Sequence, residues 1–211
     1  MSIILYHHPY SRASTTVWML EEVGVPYELR WVDLMAGAQR TPEFLKLNPM
    51  GKLPVLVDGD AVVTESAAVG LYLADRHAPG RLAPALDDPA RALYLRCAFF
   101  SPSVMEPAAA ARASGGTFNA GAVGWGTYES MLDATEVLIG AGPWLLGERF
   151  TMVDIILGGT LRFMLNFKMV DARPAFTAYV QRLEARPALQ RANARNAAVM
   201  AEHGLKPPGA G

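Results

Sequence analysis

The segment His7-His8-Pro9-Tyr10-Ser11-Arg12-Ala13-Ser14 places two histidines, two serines and an arginine between an apolar run and a helix-like pattern. Hydroxyls at a helix start lie where unpaired N–H groups and the helix dipole favour negative charge. A hydroxyl that donates to a thiolate bound there lowers the pKa of that thiol, because it stabilises only the charged form. Ser11 and Ser14 are candidates for that work, and equally for plain helix caps. His7 and His8 do not form a chelating pair, since adjacent residues on a strand point to opposite faces. With four histidines in the chain and no partner cluster, no metal site is expected. Cys97, beside Phe99 and Phe100 in an alanine-rich stretch, reads as a buried structural cysteine.

Three further constellations stand out. In Asn48-Pro49-Met50-Gly51-Lys52-Leu53-Pro54-Val55 a proline opens a strand. A cis Leu53-Pro54 bond turns the Leu53 backbone outward, free to pair with an extended peptide beside the cation of Lys52, whereas a trans bond makes a plain loop. Thr64-Glu65-Ser66 sets a carboxylate and a hydroxyl at a helix start, either an ordinary cap or an amphoteric pocket. In such a pocket Glu65 holds an ammonium while Ser66 and neighbouring N–H groups hold a carboxylate. Thr151-Met152-Val153-Asp154 has the S/T-x-x-D form of a capping box and reads as structural.

These stretches have to be positioned by elements of regular structure. Residues 3–6 form a short apolar run stopped at Pro9 and predict a buried strand. Val17, Leu20 and Val23 recur at helical spacing over residues 14–23, and Gly24 follows as a stop. Residues 27–32 alternate as a second strand. Thr41-Pro42 opens a short helix, and residues 54–57 and 61–63 flank Asp58-Gly59-Asp60 as a hairpin. A helix follows from Thr64-Glu65-Ser66 to about His77. The order β-α-β-α-β-β-α implies a parallel strand pair with a crossover helix, extended by an antiparallel hairpin.

After Ala78-Pro79-Gly80 the strand signals fade. Helices are expected over residues 90–113, bent at Pro102 and Pro107, and then over 128–139, from Phe150 onward, over 174–186 and over 187–203. Residues 114–126 read as a glycine-rich loop and 206–211 as a loose tail. The expected organisation is an α/β domain over 1–78, a linker over 79–88 and an all-α domain over 89–211.

Composition narrows the classes of function. The 211 residues are 51% hydrophobic and 18% charged, enough for a substantial core. Nineteen basic residues balance twenty acidic ones, so no excess of charge points to nucleic acid or an anionic membrane. One cysteine excludes an internal disulfide and a CxxC pair. With no membrane-length apolar run and no signal-peptide pattern at the start, the expected location is the cytoplasm.

In this order and at these separations, the motifs resemble the cytosolic glutathione S-transferases, in particular bacterial serine-type members of the theta-like and beta-like kind. The matching segments are Leu5-Tyr6, Pro9-Tyr10-Ser11, Trp18-Met19-Leu20-Glu21-Glu22, Asn48 to Leu56, Thr64-Glu65-Ser66-Ala67-Ala68, Phe150 to Asp154 and the surroundings of Arg186-Pro187-Ala188. The resemblance implies a thioredoxin-like N-terminal domain, an all-α C-terminal domain and a homodimer. Glutathione is implied as cosubstrate, and a small hydrophobic electrophile as the group it conjugates, as in detoxification. It implies Ser11 as the thiolate-stabilising hydroxyl, with Ser14 and Tyr6 as lesser candidates and Arg12 as a neighbouring charge that departs from many relatives. Leu53, beside a cis Pro54, would pair with the cysteinyl unit. Glu65 and Ser66 would hold the γ-glutamyl head, and Lys52 would approach the glycyl carboxylate. Tyr10, Phe99, Phe100, Ser103 and Met105 are candidates for the electrophile wall, of which Tyr10, Phe100 and Ser103 are preferred. The same glutathione site also serves isomerases, dehalogenases and peroxidases, and non-catalytic binding proteins, of this fold.

Overall fold

The computed structural model describes residues 2–206, so part of the tail expected to be loose lies outside the described residues. The chain divides into two compact units, one built from residues 2–77 and 186–206 and the other from 78–185.

The first unit opens with β1 (Ile3–His7), whose alternation buries Ile3, Leu5 and His7 on one face. Helix α1 (Ala13–Val23) follows and ends on Gly24 at φ 79°, whose N–H donates to the Leu20 carbonyl. Glycine suits this left-handed position because a Cβ would clash there. Strand β2 (Tyr27–Trp31) then pairs parallel with β1. Helix α2 (Pro42–Leu47) has Pro42 in its first turn and Thr41 as cap, whose side chain accepts from the Phe44 N–H. Strands β3 (Val55–Asp58) and β4 (Ala61–Thr64) form the expected hairpin, closed by Asp58 opposite Ala61 with Gly59 at φ 62°. Helix α3 (Ser66–His77) completes the pattern. The sheet order is β2-β1-β3-β4, with β3 antiparallel to both of its neighbours.

Helix α1 buries more than the Val17, Leu20 and Val23 stripe, because Thr16, Trp18 and Met19 are buried as well. Three partners pack on it: β1, α3 and a helix from the far end of the chain, here α9 (Pro187–Glu202). The pattern along the sequence places α9 in the all-α domain expected over 89–211. It groups instead with the first unit, where Arg186 pairs with Glu22 and both Arg191 and Arg195 pair with Glu21. A row of cations on and before α9 thus meets the adjacent acids of α1.

The second unit is helical: α4 (Ala90–Phe100), a π-helical turn over Ser101–Met105, α5 (Glu106–Ala113), α6 (Tyr128–Ile139), α7 (Met152–Asn166) and α8 (Pro174–Glu184). The wider turn falls at Pro102, which lacks an N–H to donate into the α-helical ladder. Helix α7 is the core of this unit and is buried almost continuously from Met152 to Leu161. Residues 79–88 were expected as a linker, but they pack within this unit. Leu82 and Ala83 are buried, and the Leu82 carbonyl accepts from the Met152 N–H at 2.8 Å.

Candidate functional site

The sheet of the first unit converges at one end. Tyr6 stands opposite Val55, and Val55 opposite Thr64, so one row crosses the end of β1, the start of β3 and the end of β4. Neighbouring strands lie about 4.8 Å apart. Just past this row β1 leads into the Ser11 turn, Leu53-Pro54 enters β3, and β4 leads through Glu65 into α3. Three stretches far apart in sequence therefore share one sheet end, with the N-termini of α1 and α3 beside them, where helix dipoles favour anions.

Ser11 is half-buried in the turn before α1. Its hydroxyl donates to the His8 carbonyl at 2.8 Å and accepts from the Ala13 N–H at 3.2 Å. The Ser14 hydroxyl donates to the Ser11 carbonyl at 2.9 Å. Tyr6 packs edge-on against Phe44, and its hydroxyl accepts from Arg30 at 3.3 Å. Tyr10 is 37% exposed, packs edge-on against His8, and donates its hydroxyl proton to the Lys206 carbonyl.

The Leu53-Pro54 peptide is cis, as the peptide-pairing reading requires. Leu53 lies two residues before the ladder of β3 begins, and its side chain is buried in a cluster with Ala13, Phe44 and Val55. One apolar cluster thus ties the Leu53 loop to the first residue of α1. The loop is braced by Asn48, which is buried, donates to the Lys52 carbonyl at 2.9 Å and accepts from the Met50 N–H at 3.0 Å. Gly51 sits at φ 60°, and a Cβ there would lie 2.8 Å from the Gln39 carbonyl oxygen. The Lys52 side chain is exposed.

Glu65 adopts φ 65°, a left-handed conformation rare for a residue with a Cβ. Such strain costs on the order of 1–3 kcal/mol and gathers at ligand clamps and active sites. Here it turns the chain from β4 into α3 and leaves the Glu65 carboxylate exposed beside Ser66, the half-buried first residue of the helix.

Beneath this end lies a buried polar layer with no signature in the local sequence. His7 has its pKa lowered to about 4, chiefly by burial, with the charge of His8 adding and the Asn196 hydrogen bond opposing. It is therefore neutral near pH 7, and its Nε2–H donates to Asn196 Oδ1 at 2.7 Å. Asn196 in turn donates to the Ser14 carbonyl at 3.2 Å, so α9 holds the first turn of α1. The signal for this, an asparagine on a helix far along the chain, has no local spacing to reveal it.

Of the residues expected to hold the electrophile, Tyr10 belongs to the first unit, and Phe100 and Ser103 to the second. Phe100 is half-buried at the end of α4, and Ser103 is exposed in the π-helical turn. Phe99 is 58% exposed, whereas Met105 is fully buried and belongs to the core rather than to a wall. Cys97 is buried, and burial pushes its thiol up to about 11, as an inert structural cysteine requires. Asp154 is a buried acceptor for the N–H groups of Thr151 and Leu145 and for the Tyr179 hydroxyl, at 2.8, 2.9 and 2.8 Å. Among the described residues no helix is long and apolar enough to cross a membrane.

Comparisons with known proteins match two stretches of the chain. Residues 1–75 match the family model of the glutathione S-transferase N-terminal domain, and residues 106–191 that of the C-terminal domain. Glutathione S-transferase 3 of Zea mays is 32% identical over 187 residues, covering 82% of this chain and 84% of that protein. Glutathione S-transferase 2 of Anopheles gambiae is 33% identical over 162 residues, covering 74% and 77% respectively. Among solved structures, a glutathione transferase family member from Pseudomonas fluorescens with two glutathione bound superposes with a TM-score of 0.76 at 26% identity, covering 90% of this chain and 92% of that one.

Proposed function

The chain belongs to the glutathione S-transferase family, and on that premise we propose that it is a serine-type transferase in which Ser11 stabilises the thiolate of glutathione for attack on an apolar electrophile. The observation that carries this reading is the shared sheet end, where the row Tyr6, Val55 and Thr64 leads into the Ser11 turn, the Leu53-Pro54 entry and the Glu65-Ser66 helix start.

In this reading each part of the tripeptide has a matching group. The Leu53 backbone pairs with the cysteinyl unit. The Glu65 carboxylate takes the γ-glutamyl ammonium, and the Ser66 hydroxyl with the N-terminus of α3 takes its carboxylate. Lys52 approaches the glycyl carboxylate. The thiol then lies near Ser11 at the N-terminus of α1, where a dipole of 11 helical residues favours the thiolate.

Ser11 donates to the His8 carbonyl in the structure, and in this reading its proton turns about the Cβ–Oγ bond toward sulfur when glutathione binds. The Ala13 N–H, already donating to the same oxygen, polarises it further. Free thiols titrate near 8.5 and are mostly protonated near pH 7. A hydrogen bond made only to the charged form lowers that value, and the thiol proton passes to solvent. The thiolate sulfur then forms a bond to the electrophilic carbon, and the leaving group departs with the electron pair of the broken bond. Tyr10, Phe100 and Ser103 are proposed to touch the electrophile, with a homodimer as the working assembly and the cytoplasm as the location.

The test is retention on immobilised glutathione, followed by the ultraviolet thiolate signal of bound glutathione near pH 7. Ser11→Ala should keep binding and lose most of the signal. An unchanged signal would move the role to Ser14 or Arg12. Failure of the unaltered protein to bind would sink the glutathione site as drawn.

A further inference from the structure

His8 makes three hydrogen bonds to the turn that carries Ser11. The His8 carbonyl accepts from the Ser11 N–H at 3.0 Å and from the Ser11 hydroxyl at 2.8 Å. Its ring Nδ1 accepts from the Tyr10 N–H at 3.1 Å. One residue therefore fixes both residues of the turn that precede Arg12. His8 is itself wholly buried and stacks on Trp31 at 4.7 Å between ring centroids. Trp31 stacks in turn on His203, just past α9, at 3.8 Å and 7°.

We propose that His8 is a positioning residue for the Ser11 hydroxyl, and that its stack with Trp31 and His203 holds it in place. The inference rests on the reading of Ser11 as the thiolate donor. Nδ1 accepts the Tyr10 N–H only while the ring is neutral with its proton on Nε2. The surroundings keep it so: burial lowers the His8 pKa most, Asp33 after β2 opposes, and His203 lowers it further. Buried His7, the neighbouring ring, is neutral near pH 7. The ring is thus a fixed acceptor backed by the Trp31 face, and the backbone it holds presents the serine.

The test titrates the thiol of glutathione bound to the whole protein by ultraviolet absorption, for Ser11→Ala, His8→Phe, His8→Asn and the double variant Ser11→Ala/His8→Phe. Phenylalanine keeps the stack and removes the acceptor. Asparagine keeps an acceptor near the Nδ1 position. Ser11→Ala should raise the midpoint by at least about one pH unit, the scale of a lost hydrogen bond to a charged group. His8→Phe should raise it by roughly half as much and lower kcat several-fold, with KM for glutathione within about two-fold. His8→Asn should restore most of the loss, and His8→Phe should add nothing once Ser11 is alanine.

A His8→Phe midpoint equal to that of the unaltered protein, while Ser11→Ala shifts, overturns the role of His8 alone. No shift in Ser11→Ala overturns the Ser11 reading and this inference together. An additive shift in the double variant means that His8 acts on the thiol without Ser11, and also overturns it. If His8→Phe shows no cooperative unfolding transition, His8→Asn decides: a raised midpoint in folded His8→Asn overturns the proposal, and an unshifted one supports it.

Discussion

Arg186 closes a bidentate pair on Glu22, at 2.5 and 2.9 Å, across 164 residues of sequence. The Glu22 side chain is 7% exposed and also accepts from the Trp18 indole N–H at 3.2 Å. Bidentate geometry and burial make this pair stronger than an ordinary surface ion pair. Removing one partner of such a pair leaves the other poorly solvated. Glu22→Ala should therefore destabilise the protein by about 2–3 kcal/mol, read as a lower urea midpoint. An effect under about 0.5 kcal/mol would mean that α9 is held by its apolar contacts alone.

Asp154 is a buried acceptor on which packing of the second unit depends. Asp154→Ala strands two backbone N–H groups and the Tyr179 hydroxyl in the core of the second unit. A buried donor left unpaired costs about 1–3 kcal/mol. The expected loss is on the order of 3–5 kcal/mol, large enough to lower the yield of folded protein as well as the Tm. Asp154→Asn should be milder, because one amide oxygen still accepts. Equal losses for the two variants would show that the charge, and not the acceptor geometry, matters.

The motifs that were legible in the sequence are those whose cause is local. Asp58-Gly59-Asp60 between β-rich runs gave the hairpin, Gly24 stopped α1, and Thr151 with Asp154 opened α7, because turn and cap chemistry acts within a few residues. The parallel pair and the antiparallel hairpin followed the same way, while the pairing of β3 with β1 has no local signal. What stayed hidden depends on partners far along the chain. Nothing in the local spacing of Glu21 and Glu22 points to Arg186, Arg191 and Arg195, which they receive. That pairing moves α9 out of the helical domain expected over 89–211. His8 was weighed only as a metal ligand, because the strand rule separates it from His7 and says nothing of a carbonyl and a ring acting on Ser11. Met105 counts as a wall candidate from helix placement, and the packing buries it instead.

The buried His7 ties stability to pH. Its folded pKa is about 4, below the ordinary 6.5, because burial disfavours the charged ring. The unfolded chain takes up the proton first as pH falls, so the unfolded state gains. The contribution is complete above about 6.5 and is lost progressively down to about 4, on the order of 3 kcal/mol in all. His7→Gln, which can still donate to Asn196 but does not titrate, should flatten this part of the stability curve. Urea midpoints measured across that window would refute the assignment if both proteins kept the same slope.

A second acid-sensitive link lies at the other end of the sheet. Burial alone would raise the Asp58 carboxyl, but hydrogen bonds from His77 and Tyr72, and the charges of His77 and Arg76, hold it below its ordinary value. A lowered carboxylate stabilises the fold above the ordinary carboxylate range, and that stability is lost as pH falls through the folded value. Asp58→Asn should therefore cost stability near neutral pH and narrow the gap to the unaltered protein below about pH 4. A gap that stayed constant with pH would assign the loss to packing of the hairpin against α3.

Glu65 separates stability from function. Its φ of 65° strains a residue with a Cβ, and glycine removes that strain while adding chain entropy to the unfolded state. The two terms are each about 1–2 kcal/mol and of opposite sign, so Glu65→Gly should leave the Tm within a few degrees of its starting value. The same change deletes the carboxylate proposed for the γ-glutamyl ammonium. Binding to immobilised glutathione should therefore fall by about ten-fold or more, the loss of a charge-assisted hydrogen bond, while folding is kept. Glu65→Gln keeps the strain and a neutral acceptor, so it should bind better than glycine and worse than glutamate. If glycine bound as tightly as glutamate, the head group would have to sit elsewhere along the sheet end, and the left-handed turn at Glu65 would serve only to start α3.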